Sequence, residues 1–279
     1  MEHFITTEAL NSYAAALRQE DRSVGTIENY LRAVRSFRAW LVDAAVTQET
    51  ATAWKNHLME QGYAPVTINA MLAALNSFFR FAELTLKMKY LKVQRRLFRT
   101  PERELTKEEY NRLLSTAKTE GRPYLALLME TICATGIRVS ELQYITVAAA
   151  QAGQAEIAMK GKIRTILLPE KLCRKLLKYV RKQKIKSGEI FLTKSGKGIS
   201  RRRIWKELKD LCVKARVAKS KVFPHNLRHL FAATFYRAYH DVAGLADILG
   251  HSSIETTRIY LAVSGKEYRR RMDCLGLVY

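Results

Sequence analysis

The chain has 279 residues and carries 48 Lys and Arg against 26 Asp and Glu, a formal charge of +22, with 48 % hydrophobic residues. That apolar share supports a core, no run reaches the roughly 18 to 20 apolar residues of a membrane span, and Met1-Glu2-His3-Phe4 opens no signal peptide. Cys133, Cys173, Cys212 and Cys274 form no C-x-x-C pair, which argues against a disulfide scaffold or a cysteine zinc site and fits a cytoplasmic protein, while so basic a charge points to a nucleic-acid partner.

The N-terminal part reads as helices. Ile27, Tyr30, Leu31, Val34, Phe37 and Leu41 keep the spacing of one buried helical face, and Ile68, Met71, Leu72, Leu75, Phe79 and Ala82 repeat it. Thr67, after Pro65, is the expected start of the latter, and residues 51–60 suggest a shorter helix stopped at Gly62. A bundle of about four helices follows. It is expected to span residues 1–98, with a basic linker from about residue 85. Lys87, Lys89, Lys92, Arg95, Arg96 and Arg99 have no acid among them. Such a segment is either a solvated linker or a strip that tracks phosphates.

A second domain is expected over residues 101–279. Leu105-Thr106-Lys107-Glu108-Glu109-Tyr110 has the form of a capping box, with Leu105 and Tyr110 placed as a hydrophobic staple. A helical pattern runs from Tyr124 and is interrupted at Gly136. Residues 155–160 and 164–168 read as two strands about a turn at Gly161, ended by Pro169. Residues 171–184 form an amphipathic helix on Leu172, Leu176, Leu177 and Val180. Ser200 caps another, opening with Arg201, Arg202 and Arg203. Residues 225–239 are helical, and Ser252-Ser253-Ile254-Glu255 predicts a capping box starting a helix that contains Tyr260. The fold class is mainly α with a small antiparallel β-sheet.

Four segments carry chemistry: residues 134–142 (A-T-G-I-R-V-S-E-L), Lys160-Gly161-Lys162, His225-Asn226-Leu227-Arg228-His229, and Leu249-Gly250-His251 with Tyr260. Arginines grip phosphate bidentately and stay charged at any working pH. Lysine and histidine move protons, and a tyrosine can attack phosphorus. No carboxylate pair suits catalytic magnesium. His225 and His229 have metal-ligand spacing, but Asn226 stands where a metalloprotease helix has glutamate, so no metal and no cofactor are expected. These parts suit metal-free phosphoryl transfer on a nucleic-acid backbone.

Together, in this order and spacing, the segments resemble the tyrosine recombinases of the phage integrase family. A-T-G-I-R-V-S-E-L resembles the first arginine box, P-H-N-L-R-H at residues 224–229 the H-x-x-R box, and L-G-H-S-S-I-E-T-T-R-I-Y at residues 249–260 the segment with the last histidine and the nucleophile. The resemblance is close over about residues 105–265. The N-terminal bundle matches the family's core-binding, SAM-like domain in size and helicity only.

The resemblance implies that Tyr260 attacks the scissile phosphate, forms a 3′-phosphotyrosyl link and releases a 5′-hydroxyl. Arg138 and Arg228 would bind the non-bridging oxygens, with His251 sharing in charge stabilisation. His225 would be the general acid/base near the tyrosine. Lys160 would protonate the leaving oxygen; Lys162 is the alternative, and Lys160 matches the family's K-G directly. Glu141 would hold Arg138 or a histidine, or form an ordinary ion pair. Lys162, Arg164, Arg201, Arg202, Arg203, Arg95 and Arg96 are candidate DNA contacts.

The resemblance further implies double-stranded DNA sites as partners, a homo-tetramer on them, and accessory DNA-bending or directionality proteins. No lambda-like arm-binding domain is expected. The short amphipathic tail, residues 265–279, would dock on a neighbouring subunit or pack on its own domain. The expected function is a site-specific recombinase, the integrase of a mobile element. The alternatives are an Xer-type chromosome-dimer resolvase and a non-catalytic DNA-binding regulator. The intact set Arg138, Lys160, His225, Arg228, His251 and Tyr260 speaks against the regulator.

Overall fold

Two large apolar cores and a small third one organise the described residues. A computed structural model describes residues 3–42, 44–93, 104–159, 162–193, 195–258, 260, 269–270 and 272–277, with only the backbone of Met159 and Lys162. It divides into one unit over Met1–Arg95 and another over Arg96–Tyr279.

The first unit holds α1 (Thr7–Gln19), α2 (Val24–Leu41), α3 (Gln48–Glu60) and α4 (Pro65–Phe81). Thr6, Ser23 and Thr47 cap the first three with side-chain oxygens that accept backbone N–H bonds. Capped by Thr47, α3 starts at Gln48, three residues before the expected 51, and Gly62 follows its end with φ +71°. α4 starts at Pro65 rather than Thr67, because proline lacks only an N–H that the first turn leaves unpaired anyway. Tyr13, Leu17, Val34, Phe37, Leu58, Ile68, Leu72, Leu75 and Phe79 form the core. Phe37 and Phe79 are fully buried and meet edge-on at 6.2 Å, each contributing about 2 to 3 kcal/mol by burial.

The segment read as linker from residue 85 is, as far as Leu91, fastened to α4. The Asn76 side chain accepts from Met88 N (2.8 Å) and donates to Met88 O (3.0 Å). Asn69 does the same with Leu91, at 2.8 and 2.9 Å. Met88 is thereby buried, while Lys87, Lys89 and Lys92 face outward. Arg95, Arg96 and Arg99 lie outside the described residues.

In the second unit α6 (Pro123–Thr135) is apolar on nearly all of its surface, Glu130 excepted, so it lies inside, packed by α5 (Lys107–Thr119), α8 (Glu170–Gln183) and α10 (Pro224–Tyr239). The capping box predicted for α5 is present: Glu109 N donates to Thr106 Oγ1 (3.2 Å) and Thr106 N to Glu109 Oε2 (2.9 Å). A 3-10 turn (Val139–Tyr144) leads to α7 (Val147–Ala152) and then to the antiparallel hairpin of β1 (Gln154–Met159) and β2 (Lys162–Leu167). Met159 pairs with Lys162, so β2 starts two residues before the expected 164 and leaves buried Leu168 outside the strand. Leu172, Leu176 and Val180 bury the apolar face of α8, with Leu177 half-buried beside them.

α9 (Arg201–Lys214) opens under a Ser200 cap, and α11 (Val242–Leu249) under an Asp241 cap. α12 (Ile254–Arg258) ends before Tyr260. The predicted helix through Tyr260 is therefore shorter: Tyr260 N donates to Thr257 O (2.9 Å) in a closing turn, and the tyrosine ring joins Ala232, Leu245 and Leu249 in a small core of its own. Ser253 Oγ accepts from Glu255 N (3.2 Å), and the Glu255 carboxylate reaches Arg258 (3.0 Å).

Candidate active site

Two glycines shape the site. Gly136 ends α6 with φ +66°, and a Cβ there would stand 2.5 Å from the Phe231 ring and 2.9 Å from Leu249. Only glycine fits both the left-handed backbone and the close approach. Gly250 ends α11 in the same way, φ +64°, and its missing Cβ leaves room for the Arg164 side chain, which would otherwise be 2.5 Å away. The two turns deliver Arg138 and His251.

Arg228, on α10, is 1 % exposed. A buried guanidinium requires acceptors. Its Nη1 donates to Gly136 O (2.5 Å), and its Nη2 to Leu249 O (2.8 Å) and His251 Nε2 (2.9 Å). Burial lowers its pKa, and the Tyr260 hydroxyl opposes that. An arginine starts so high that it remains a cation.

Guanidinium nitrogens only donate, so His251 Nε2 must accept and its proton must sit on Nδ1. That N–H then donates to Thr257 Oγ1 at 2.8 Å. Burial, followed by the charges of Arg228, Arg138 and Arg164, pushes the His251 pKa down to about 4. Burial, then Arg228 and Arg138, also lowers that of His225. Both rings are therefore drawn towards the neutral form. His225 stands in the first turn of α10, where exposed N–H groups favour an anion.

Tyr260 is 3 % exposed. Its ring stacks on His251 (5.9 Å, 9°) and meets the edge of His229 at 4.5 Å; His229 in turn meets His225 at 4.6 Å. Arg138 keeps 45 % of its side chain exposed, and its Nη1 donates to Glu141 Oε1 (3.0 Å). Arg201 lines a small cavity with Ile137, Arg138, Pro224, His225 and Arg228.

The structure thus gathers Arg138, His225, Arg228, His251 and Tyr260. Lys160 and the Lys162 side chain lie outside the described residues. Arg164, expected on DNA, is instead committed to protein: it donates to Glu141 Oε2 (2.6 Å) and Ile248 O (2.8 Å). Arg202 and Arg203 are exposed on α9, Arg203 paired with Glu207 at 2.8 Å. Sequence reasoning missed Thr257 and the placing of His229 against Tyr260. Nothing in the sequence marks Thr257, whereas the spacing of His229, four residues after His225, points only to a metal ligand. Among the described residues no group of three or more His, Cys, Asp or Glu could hold a metal ion.

Residues 103–267 match the phage integrase family model, and residues 10–85 match the phage integrase N-terminal SAM-like domain. The chain belongs to the phage integrase family and is a tyrosine recombinase. Tyrosine recombinase XerA of Pyrococcus furiosus is 28 % identical over 285 residues, covering 99 % of this chain and 97 % of the relative. Tyrosine recombinase XerD of Halalkalibacterium halodurans is 30 % identical over 247 residues, 80 % of each chain. A lambda integrase(75-356) dimer bound to a COC′ core site is similar in fold, with a TM-score of 0.73 at 19 % identity over 91 % of this chain and 94 % of that one. XerH bound to its difH substrate before cleavage gives 0.69 at 19 % identity, over 91 % and 80 %.

Proposed function

We propose that the chain cuts and rejoins double-stranded DNA at specific sites through a 3′-phosphotyrosyl intermediate. The observation that carries this is the stacking of Tyr260 on His251, which in turn accepts from Arg228, with Arg138 and His225 beside them. The Tyr260 oxygen attacks phosphorus, the P–O5′ bond breaks, and Lys160 supplies the proton to the leaving 5′ oxygen. His225 takes the tyrosine proton as general base. Arg138 and Arg228 hold the non-bridging oxygens, where charge grows. His251 joins them once the phosphate charge favours a proton on Nε2. The covalent link conserves the phosphodiester energy, so neither ATP nor another cofactor is required.

The N-terminal unit and the catalytic unit are read as two DNA-binding domains, with Arg201, Arg202 and Arg203 among the contacts. The assembly is read as a tetramer on two sites in the cytoplasm, with accessory bending or directionality proteins. The biological use is read as integration and excision of a mobile element. One observation favours a second use, chromosome-dimer resolution: relatives named XerA and XerD match across both domains.

A covalent-trapping assay tests the chemistry. Wild type and Tyr260→Phe are incubated with nicked, labelled duplexes drawn from the DNA flanking the gene and from the chromosome terminus region. A 3′-linked adduct with wild type alone is expected, and the fragment that yields it separates the two uses. Specific binding without adduct in either protein moves the reading to a regulator, or to a recombinase that cuts only within a synapse.

A further inference from the structure

Arg164 joins three parts of the site. It leaves β2 opposite Ile157, runs past the bare Cα of Gly250, and ends on two acceptors. Nη1 donates to Ile248 O at 2.8 Å and Nη2 to Glu141 Oε2 at 2.6 Å. Ile248 precedes Leu249, whose carbonyl takes Arg228 Nη2 at 2.8 Å. Successive carbonyls at the negative end of α11 are therefore capped by two different arginines, just before His251.

Glu141 is the other end. It is 2 % exposed, and it is held by two cations. Oε1 accepts from Arg138 Nη1 at 3.0 Å; Oε2 accepts from Arg138 N at 2.6 Å and from Arg164 Nη2. A buried carboxylate so close to Arg138 would by itself cancel the charge that Arg138 must offer a phosphate. With Arg164 present the cluster carries two positive charges and one negative, a net +1. Without it the net charge is zero, and the Glu141 oxygen that Arg164 held is free to draw the Arg138 guanidinium inward.

We propose that Arg164 is a positioning residue for strand cleavage: it neutralises Glu141 so that Arg138 stays available to the scissile phosphate, and it pins the turn that presents His251. The inference rests on the roles given above to Arg138 and His251. It accounts for Gly250 as well, since any side chain there would displace Arg164.

The test is single-turnover formation of the Tyr260 adduct on a nicked duplex, with DNA affinity and melting temperature measured on the same full-length proteins. Arg164→Met should slow cleavage about 100-fold, the scale of losing one preorganised donor to the reacting phosphate. DNA affinity should change little. Glu141→Gln added to Arg164→Met removes the uncompensated anion and restores the net +1. The double variant should therefore cleave about tenfold faster than Arg164→Met alone. Arg164→Lys, which keeps a cation beside Glu141, should recover much of the rate and guards against a methionine variant that folds poorly. A merely structural role predicts the opposite for the double variant, which loses one more buried contact. A double variant no faster than Arg164→Met, or Arg164→Met at wild-type rate, overturns the proposal while leaving the parent reading intact. A wild type that forms no adduct even when two sites are supplied for synapsis overturns both.

Discussion

At the scale of single residues, the site draws His225 and His251 towards the neutral form among the charges of Arg228 and Arg138. His251 accepts from Arg228 and donates to Thr257, an arrangement that a second proton would break. Its pKa is pushed down to about 4, against about 6.5 for a free imidazole, and that of His225 is lowered too. A lowered histidine pKa means that the unfolded chain binds more protons than the folded one between the two values. The associated stability is present above about pH 6.5 and is lost as pH falls towards about 4. The melting temperature should therefore drop over this window, and His251→Gln, which cannot titrate, should drop less steeply. Equal slopes for the two proteins would show that His251 is not held neutral by its partners. The residue types at these positions were legible in the sequence because the chemistry needs them at fixed places in short motifs. Arg164 was not, because a strand arginine looks the same whether it faces phosphate or a buried glutamate 23 positions away.

At the scale of elements, caps and prolines were readable while polar clamps were not. Thr106 with Glu109, Ser200 before α9, and Gly136 after α6 are local signals, and each does locally what its residue type allows. The attachment of residues 88–91 to α4 is different. Asn69 and Asn76 are seven positions apart, about 10 Å along a helix, and Met88 and Leu91 are three apart, also about 10 Å in extended chain. The two periods match, so one helix face can hold an extended backbone at two points. Polar residues on a helix otherwise read as solvent-facing, which hid this clamp within an expected linker. Asn76→Ala would leave Met88 N–H and C=O unpaired beside a side chain that is 3 % exposed. The cost should be about 2 to 3 kcal/mol in urea unfolding, with faster amide exchange at Met88. A loss below about 0.5 kcal/mol would mean that the segment is held by Leu84, Leu86 and Met88 packing alone.

At the scale of the whole molecule, the charge and the tail bear on assembly. A formal charge of +22 opposes self-association of free chains, and DNA relieves that repulsion by neutralising cations. Synapsis then needs a protein contact that free monomers do not use strongly. In the tail, Met272, Leu275 and Leu277 are 66 %, 64 % and 79 % exposed, so these apolar side chains find little cover on their own chain. Exposed apolar residues grouped in so short a segment mark a surface for a partner. Deleting residues 266–279 should therefore leave binding to a single site unchanged, because the arginines and lysines named above remain. It should abolish the slow-migrating complex of two duplexes, and with it cleavage that depends on synapsis. The measurement is native gel electrophoresis of one-site and two-site complexes beside adduct formation on the same DNA. Full synapsis by the truncated chain would show that the contact joining subunits lies elsewhere.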